Sequence, residues 1–318
     1  DLRKLIIPLI IEQILAIAVG MADTIMVSAA GEAAVSGVSL VDTVNILLIN
    51  VFSALATGGA VVSGHFLGKK KREDACKSAW QILLFATLLA FVISVIFITA
   101  HDPLLRLMFG KIEDDVMKAS KTYLIITTYS FVALAIYNSC AALFRAMNES
   151  KVTMWVSLLM NVINVVGNAI CIYGLHMGVA GVAIPTTISR YVAAVVIFLL
   201  MFQTKKEINL CGQITWKFNG SLIKKILYIA IPNGLENSMF QLGKILVMSA
   251  VATMGTSAIA ANAVTGTIAN WNNLPGFAIN LAIVSVVSVC VGAGRYDQAR
   301  YYTCLLYTSP SPRDVEES

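Results

Sequence analysis

The chain is short of charge. Only 13% of its 318 residues are Asp, Glu, Lys or Arg, against roughly a quarter in a soluble domain. With 58% hydrophobic residues and a mean hydropathy of +0.78, that scarcity excludes an ordinary water-soluble globule and points to an integral membrane protein. Histidine is scarce too: His65, His101 and His176 stand apart, each near a membrane edge. The six cysteines (76, 140, 171, 211, 290, 304) form no Cys-x-x-Cys pair. They imply neither a zinc centre nor a disulfide framework, and are read as small apolar side chains. No Gly-x-x-x-x-Gly-Lys-Ser/Thr is present, so the chain does not hydrolyse ATP itself, and no motif supports an enzyme. The net charge of +5 is explained by where the charges sit, not by nucleic-acid binding. The first apolar run is too long for a cleavable signal peptide.

What is present is apolar length. A spanning helix needs about 20 mostly apolar residues. Eight runs qualify, near 5–28, 35–67, 79–100, 121–144, 152–173, 179–203, 225–254 and 257–291. They are continuous rather than alternating, so they predict helices and not barrel strands. The expected fold class is an all-α integral membrane protein. Eight crossings put both ends on one side. With the ends placed in the cytoplasm, that side holds 16 Lys and Arg residues, while the other holds only Arg106, Lys111, Lys118 and Lys121. By the positive-inside rule this predicts a multi-pass protein of the cytoplasmic (inner) membrane with both ends cytoplasmic. The longest external loop, about 101–120, reads as a short surface element. The polar, basic segment 204–224 reads as a cytoplasmic linker between two halves.

The halves are related. "IPLIIEQ" (7–13) recurs as "IPNGLEN" (231–237), so that Pro8 and Glu12 match Pro232 and Glu236 at an offset of 224 (232−8). The same offset aligns Gly31 with Gly255, Ala34 with Ala258 and Gly68 with Gly292, and lays "LGKKKREDA" (67–75) over "VGAGRYDQA" (291–299). This is an internal duplication. Six helices precede the second copy, so both copies enter the membrane in the same sense. They should be related by an axis along the membrane normal, as in one class of secondary transporter that binds substrate between its halves and rocks. The expected units are a six-helix lobe (1–203), the linker (204–224) and a partial second lobe of two helices (225–303). Residues 304–318 are expected to be a non-native tail. The Ser-Pro-Ser-Pro-Arg-Asp core is polar, and 304–314 back-translates to a sequence resembling library adapter DNA. The chain is therefore expected to be truncated, and inactive as it stands.

Ionisable groups inside a bilayer are costly and face a cavity or a partner. Glu12 and Glu236 lie near the inner ends of their helices, where a cavity role competes with capping or bonding to a neighbouring helix. Asp23 and Asp42 lie near the outer ends of adjacent, oppositely running helices, a placement that predicts similar depth in one cavity. Two neighbouring carboxylates in a low dielectric cannot both be charged cheaply. That suits proton coupling, and equally a sodium ion or a cationic drug. Arg190 and Lys244 sit mid-run and call for partners. Asn45, Asn161, Asn164 and Asn168 offer polar lining or helix–helix bonds; Asn164 and Asn168 share a face at i, i+4. "NWNNLPGF" (270–277) interrupts the eighth run, as a cavity wall or a packed kink. The methionines read as lipid-facing or core, with a pliable pocket as the other use.

The segments "IPLIIEQILAIAVGMADTIMVS", "GEAAVSGVS", "GHFLGKKKREDA", "ALFRAMNESK", "NVINVVGNAICIYG" and "GVAGVAIPTTIS", in order over residues 2–303, resemble the MATE (multidrug and toxic compound extrusion) family. The resemblance implies twelve helices in two six-helix lobes around a cleft. It also implies export of drugs or toxic organic cations in exchange for protons or sodium, without a cofactor. Asp23 matches that family's helix-one carboxylate and Asn164 its helix-five asparagine, whereas Asn168 stands where one branch has an aspartate. The implied coupling residues are thus Asp23, Asp42, Asn164 and Asn168, with Na+ at Asp23, Asn164 and Asn168 as one form. Glu12, Asn45, Arg190, Glu236 and Lys244 are candidates for the substrate cavity or intramembrane charge. The implied partners are a cationic amphipathic small molecule and the lipid bilayer, with no nucleic acid, and a monomer is expected. The rival functions are a lipid-linked saccharide flippase, which needs a more cationic cavity, and a non-transporting membrane scaffold.

Overall fold

The computed structural model describes residues 2–29, 31–109, 113–203, 206–211, 215–252 and 256–307. Lys111, Lys205, Gly255 and the Ser-Pro-rich stretch within 308–318 lie outside them. The described residues contain no strand. The helices are α1 (Leu2–Ser28), α2 (Glu32–Gly68), α3 (Arg72–Thr99), α4 (His101–Phe109), α5 (Asp114–Thr128), α6 (Phe131–Ala146), α7 (Ser150–Ala169, continued by a π turn, Ile170–Gly174), α8 (Ala180–Leu200), α9 (Gly220–Ala252), α10 (Thr256–Gly292) and α11 (Tyr296–Tyr307).

Six of these are long and apolar enough to cross a membrane: α1, α2, α3, α7 with its π turn, α8 and α10. The fourth expected run is broken: α5 and α6 meet at a 50° bend and form one further span when taken together. The bend frees backbone carbonyls, which in a bilayer must find donors. Thr187 Oγ1 donates to Ile126 O (3.0 Å), Ser94 Oγ to Thr128 O (3.2 Å) and Tyr191 Oη to Tyr129 O (2.8 Å). Ser130 Oγ donates back to Thr127 O at 2.6 Å, the kind of local bond that bends helices. The seventh expected run is α9, 33 residues long. Its polar Pro232, Asn233, Glu236, Asn237 and Lys244 dilute its hydropathy, so composition alone does not mark it as a span.

The duplication reappears in the fold. Adding 224 to the bounds of α2 gives the bounds of α10, and adding it to the start of α3 gives the start of α11. A further helix, α11, follows the two helices of the second copy. The turns match as well: Lys70 and Gly294 both take positive φ, 58° and 72°. The backbone bonds that close the first helix (Lys69 N to His65 O, Lys71 N to Phe66 O) recur as Ala293 N to Val289 O and Arg295 N to Cys290 O. Equivalent residues face each other where α2 crosses α10. A Cβ on Gly68 would strike the backbone of Val289 and Gly292, and one on Gly292 would strike the backbone of His65. Self-contact of this kind places the pseudo-twofold axis between these two glycines, and small residues let the helices approach.

The first six spans form one packed unit. Its core joins Ile82, Leu83, Leu143, Phe144, Ile197 and Met201. A second cluster around Val41, Leu105, Leu124 and Val182 fills the opposite end. The basic connecting segment is not a loose linker throughout. Ile208 and Leu210 are fully buried in the main core. Arg72 Nε and Nη2 donate to the carbonyls of Glu207 and Lys206 (3.0 and 2.6 Å), and Trp80 Nε1 donates to Thr215 O at 2.7 Å. Lys206 pairs with Glu149. The segment is a strap fixed along α3, and α9 starts inside it. Between the copies, α1 packs on α10 through Leu5, Leu9, Ala278 and Ala282, and Gly58 of α2 lies against Ile226 O of α9. These contacts lie at the end that carries the strap and most of the basic residues.

Candidate functional site

Asp23, near the end of α1, and Asp42, in the second turn-pair of α2, open on one cavity of about 110 Å³, together with Gly20, Ser39, Tyr123 and Val182. The antiparallel α1–α2 hairpin sets them at one depth, as their sequence positions predict. Asn168 Nδ2 donates to Asp23 Oδ1 at 2.7 Å and lies 3.3 Å from Asn164 Oδ1. Asn164 Nδ2 donates to Thr186 Oγ1 at 2.9 Å, and Thr186 donates to Val182 O at 2.8 Å. One chain of polar groups thus runs from α1 through α7 to α8. The i, i+4 spacing on α7 makes it possible. The close approach of α7 and α8, where a Cβ on Gly167 would lie 2.7 Å from Pro185 Cβ, completes it.

Asp42 has its own partners. Tyr123 Oη, from α5, donates to Asp42 Oδ1 at 3.1 Å, and Asn45 Nδ2 donates to the same oxygen at 3.3 Å. Arg190 lies near enough for its charge to act on Asp23, Asp42 and Tyr123. It makes no ion pair within 4 Å among the described residues, and its Nη1 donates to Ser130 Oγ at 2.8 Å, at the bend between α5 and α6. The oxygen acceptors Asn45 Oδ1 and Asn168 Oδ1 are buried without a donor. The oxygen-bearing side chains that line the cavity itself are Asp23, Thr24, Ser39, Asp42 and Tyr123, a hard donor set of the kind that suits a proton or a hard cation. Among the described residues no group of three or more His, Cys, Asp or Glu could hold a metal ion.

The other candidates lie elsewhere. Glu12 is buried away from this cavity. Arg145 Nη1 donates to its Oε1 at 3.2 Å and Thr153 Oγ1 to its Oε2 at 3.0 Å, so it ties α1 to α6 and α7. Glu236 is exposed on α9. Lys244 is exposed as well, its Nζ 4.9 Å from the centre of the Phe240 ring, with no acid beside it among the described residues. Sequence reasoning missed Tyr123, Thr186 and the partnership of Arg145. Tyr123 and Thr186 carry no local signal, because only packing decides which face of α5 or α8 meets α1. Arg145 falls just past the fourth apolar run, 121–144, and the structure makes it a last-turn residue of α6.

Comparison with known proteins agrees with this architecture. The MatE family model matches residues 8–170 and 232–306, and the two matched stretches begin 224 residues apart (232−8), the offset of the duplication. YisQ of Bacillus subtilis, described as an uncharacterized transporter, is 28% identical over 303 residues, 94% of this chain and 66% of its own length. The "Probable multidrug resistance protein NorM" of Thermotoga maritima is 25% identical over 298 residues, 92% of this chain and 63% of its own. A solved outward-facing structure of a multidrug resistance MATE family transporter superposes with a TM-score of 0.88 at 21% identity, covering 96% of this chain and 67% of that one. The chain spans about two thirds of the length of the relatives it matches. With its apolar spans, its duplicated helix hairpin and a family match over most of its length, the chain belongs to the MatE family, a family of multi-pass membrane transporters rather than enzymes.

Proposed function

We propose that the protein is an ion-coupled antiporter that exports drugs or toxic organic cations across the cytoplasmic membrane by alternating access, with H+ or Na+ bound at Asp23. The observation that carries this reading is the 2.7 Å contact of Asn168 with Asp23 beside a cavity shared with Asp42. A cation or proton at Asp23 cancels the charge that Asn168 Nδ2 holds, and so changes the tie between α1 and α7. The same helix packs by Leu5 and Leu9 on α10 of the other copy. Helix α1 is therefore a direct mechanical link from the ion site to the surface between the lobes. Asn164 and Thr186 pass the same change on to α8, and Asp42 with Asn45 and Tyr123 supplies the second acid of the cavity. Arg190 is a fixed positive charge that keeps the pair from accumulating excess negative charge and anchors the bend at Ser130. The lobes meet at the basic end, the arrangement of a state closed toward the cytoplasm. Relatives named as multidrug resistance proteins favour a small-molecule cargo, and the acidic cavity favours a cationic one. A saccharide-phosphate flippase is disfavoured, because the cavity has two acids and Lys244 lies apart from it.

Efflux from cells lacking their own exporters, expressing the full-length gene, tests the reading with proton and sodium gradients imposed separately. Asp23→Asn is expected to abolish efflux while leaving the amount of protein in the membrane unchanged. Efflux at the wild-type rate from that variant overturns the assignment. A dependence on pH alone identifies the proton as the coupling ion, and a requirement for sodium identifies Na+.

A further inference from the structure

We propose that the groove between α2 and α9 binds an anionic phospholipid of the cytoplasmic leaflet. Lys69, Lys224 and Lys225 hold its phosphate, and an acyl chain lies on Val62, Phe66 and Ile229. These residues line a cavity of about 690 Å³ at the basic end of the molecule. The leaflet named rests on the orientation in the preceding section; the binding itself does not.

The duplication supplies an internal comparison. A second groove of about 400 Å³ lies between α1 and α10, and its floor is the symmetry mate of the first: Val62, Phe66 and Ile229 correspond to Val286, Cys290 and Leu5 at the 224-residue offset. The two grooves differ above the floor. The one between α1 and α10 carries Lys4, Gln298 and Tyr302 beside its floor, and Ala293 stands where the other has Lys69. The α2–α9 groove instead has three lysines at its rim, all exposed. None has a carboxylate within 4 Å among the described residues. The shared apolar floor follows from ancestry, but the α1–α10 groove has Lys4 in its lining where the α2–α9 groove has three lysines. A basic rim over an apolar floor between spanning helices is the chemistry that takes an anionic headgroup with its chain. Tyr228, 82% exposed at the same rim, is of the amphipathic type that sits at headgroup depth. Lys69 comes from the first copy and the other two from the second, so one bound lipid would bridge the lobes where they touch.

Native mass spectrometry of the purified chain in detergent, titrated with phosphatidylglycerol or phosphatidylcholine, tests this without any transport assay. Its failure is therefore distinct from failure of the antiporter reading. Phosphatidylglycerol is expected to stay bound and phosphatidylcholine to be lost. Each lysine near an anionic group contributes roughly a fivefold factor. Lys69→Gln/Lys224→Gln/Lys225→Gln should therefore weaken retention by on the order of 100-fold. Lys70→Gln/Lys71→Gln/Lys77→Gln removes the same charge from the same end outside the groove and should leave retention unchanged. Phe66→Ser, with every lysine kept, should also weaken it, and serves if the triple variant does not fold. Unchanged retention in the groove variants, equal loss in the control triple or equal binding of phosphatidylcholine overturns the proposal. So does complete displacement by excess inorganic phosphate, which would mark a phosphate site without a lipid.

Discussion

Glu12 and Glu236 occupy the same place in the two copies, yet the structure gives them opposite environments. Glu12 is clasped by Arg145 and Thr153, whereas Glu236 is exposed. Removing one member of a buried ion pair strands the other charge, at a cost of about 3–5 kcal/mol when burial is complete. Here the side chains are 11% and 14% exposed, so the cost falls toward the lower end. Glu12→Gln and Arg145→Gln are each expected to lower the unfolding temperature of the purified chain, and the double variant to recover part of the loss. Glu236→Gln should leave it unchanged. A melt of Glu12→Gln indistinguishable from wild type would show that the pair is solvated. Such a residue pair illustrates what a sequence conveys at this scale. The cost of a carboxylate in an apolar run is legible from composition, but its partner is not. Arg145 lies 133 residues away, and only the packing of α1 on α7, which in turn packs on α6, brings the two together.

At the scale of elements, length and apolarity define most spans, because a helix in hydrocarbon satisfies its own backbone. They do not define the break at residues 129–130. It depends on Ser94, Thr187 and Tyr191 from other helices supplying donors to freed carbonyls, and those donors are invisible along α5 and α6. The α2–α10 crossing shows the converse. Its equivalence was legible as a fixed offset, and its closeness is a consequence of glycine. A Cβ placed on Gly64 would lie 3.1 Å from Ser288 Cβ, so a shift of a few tenths of an ångström brings the pair into the ~3.5–4.5 Å range of a disulfide. In Gly64→Cys/Ser288→Cys, oxidation is expected to join the halves, so that cleavage at a protease site inserted at 212–214 leaves a single band on a non-reducing gel. Two separated fragments after oxidation would refute the placement of the axis between α2 and α10.

The whole molecule carries most of its basic residues at one end, around the α2–α3 turn, the α6–α7 turn, the strap and the start of α9. A chain inserted with that end in the cytoplasm obeys the positive-inside rule. Cys211, exposed in the strap, should then react with a membrane-impermeant maleimide only in permeabilised cells. A cysteine replacing His176, exposed in the turn before α8, should react in intact ones. Labelling of Cys211 in intact cells would invert the topology and, with it, the direction of transport proposed above.

The sequence by itself determined the solvent, the helical class, the duplication and the shared depth of Asp23 and Asp42. Each of these follows from local composition, spacing or a fixed offset, quantities that a linear chain expresses directly. Tertiary structure alone decided that Asn168 reaches Asp23, that Thr186 completes the polar chain and Tyr123 meets Asp42, that Glu12 is satisfied by Arg145, and that the strap is half core. Those depend on which faces of separate helices meet. In a bilayer, where every span is apolar all round, the hydrophobic pattern no longer states which face is inward, and close packing of small residues makes that choice instead.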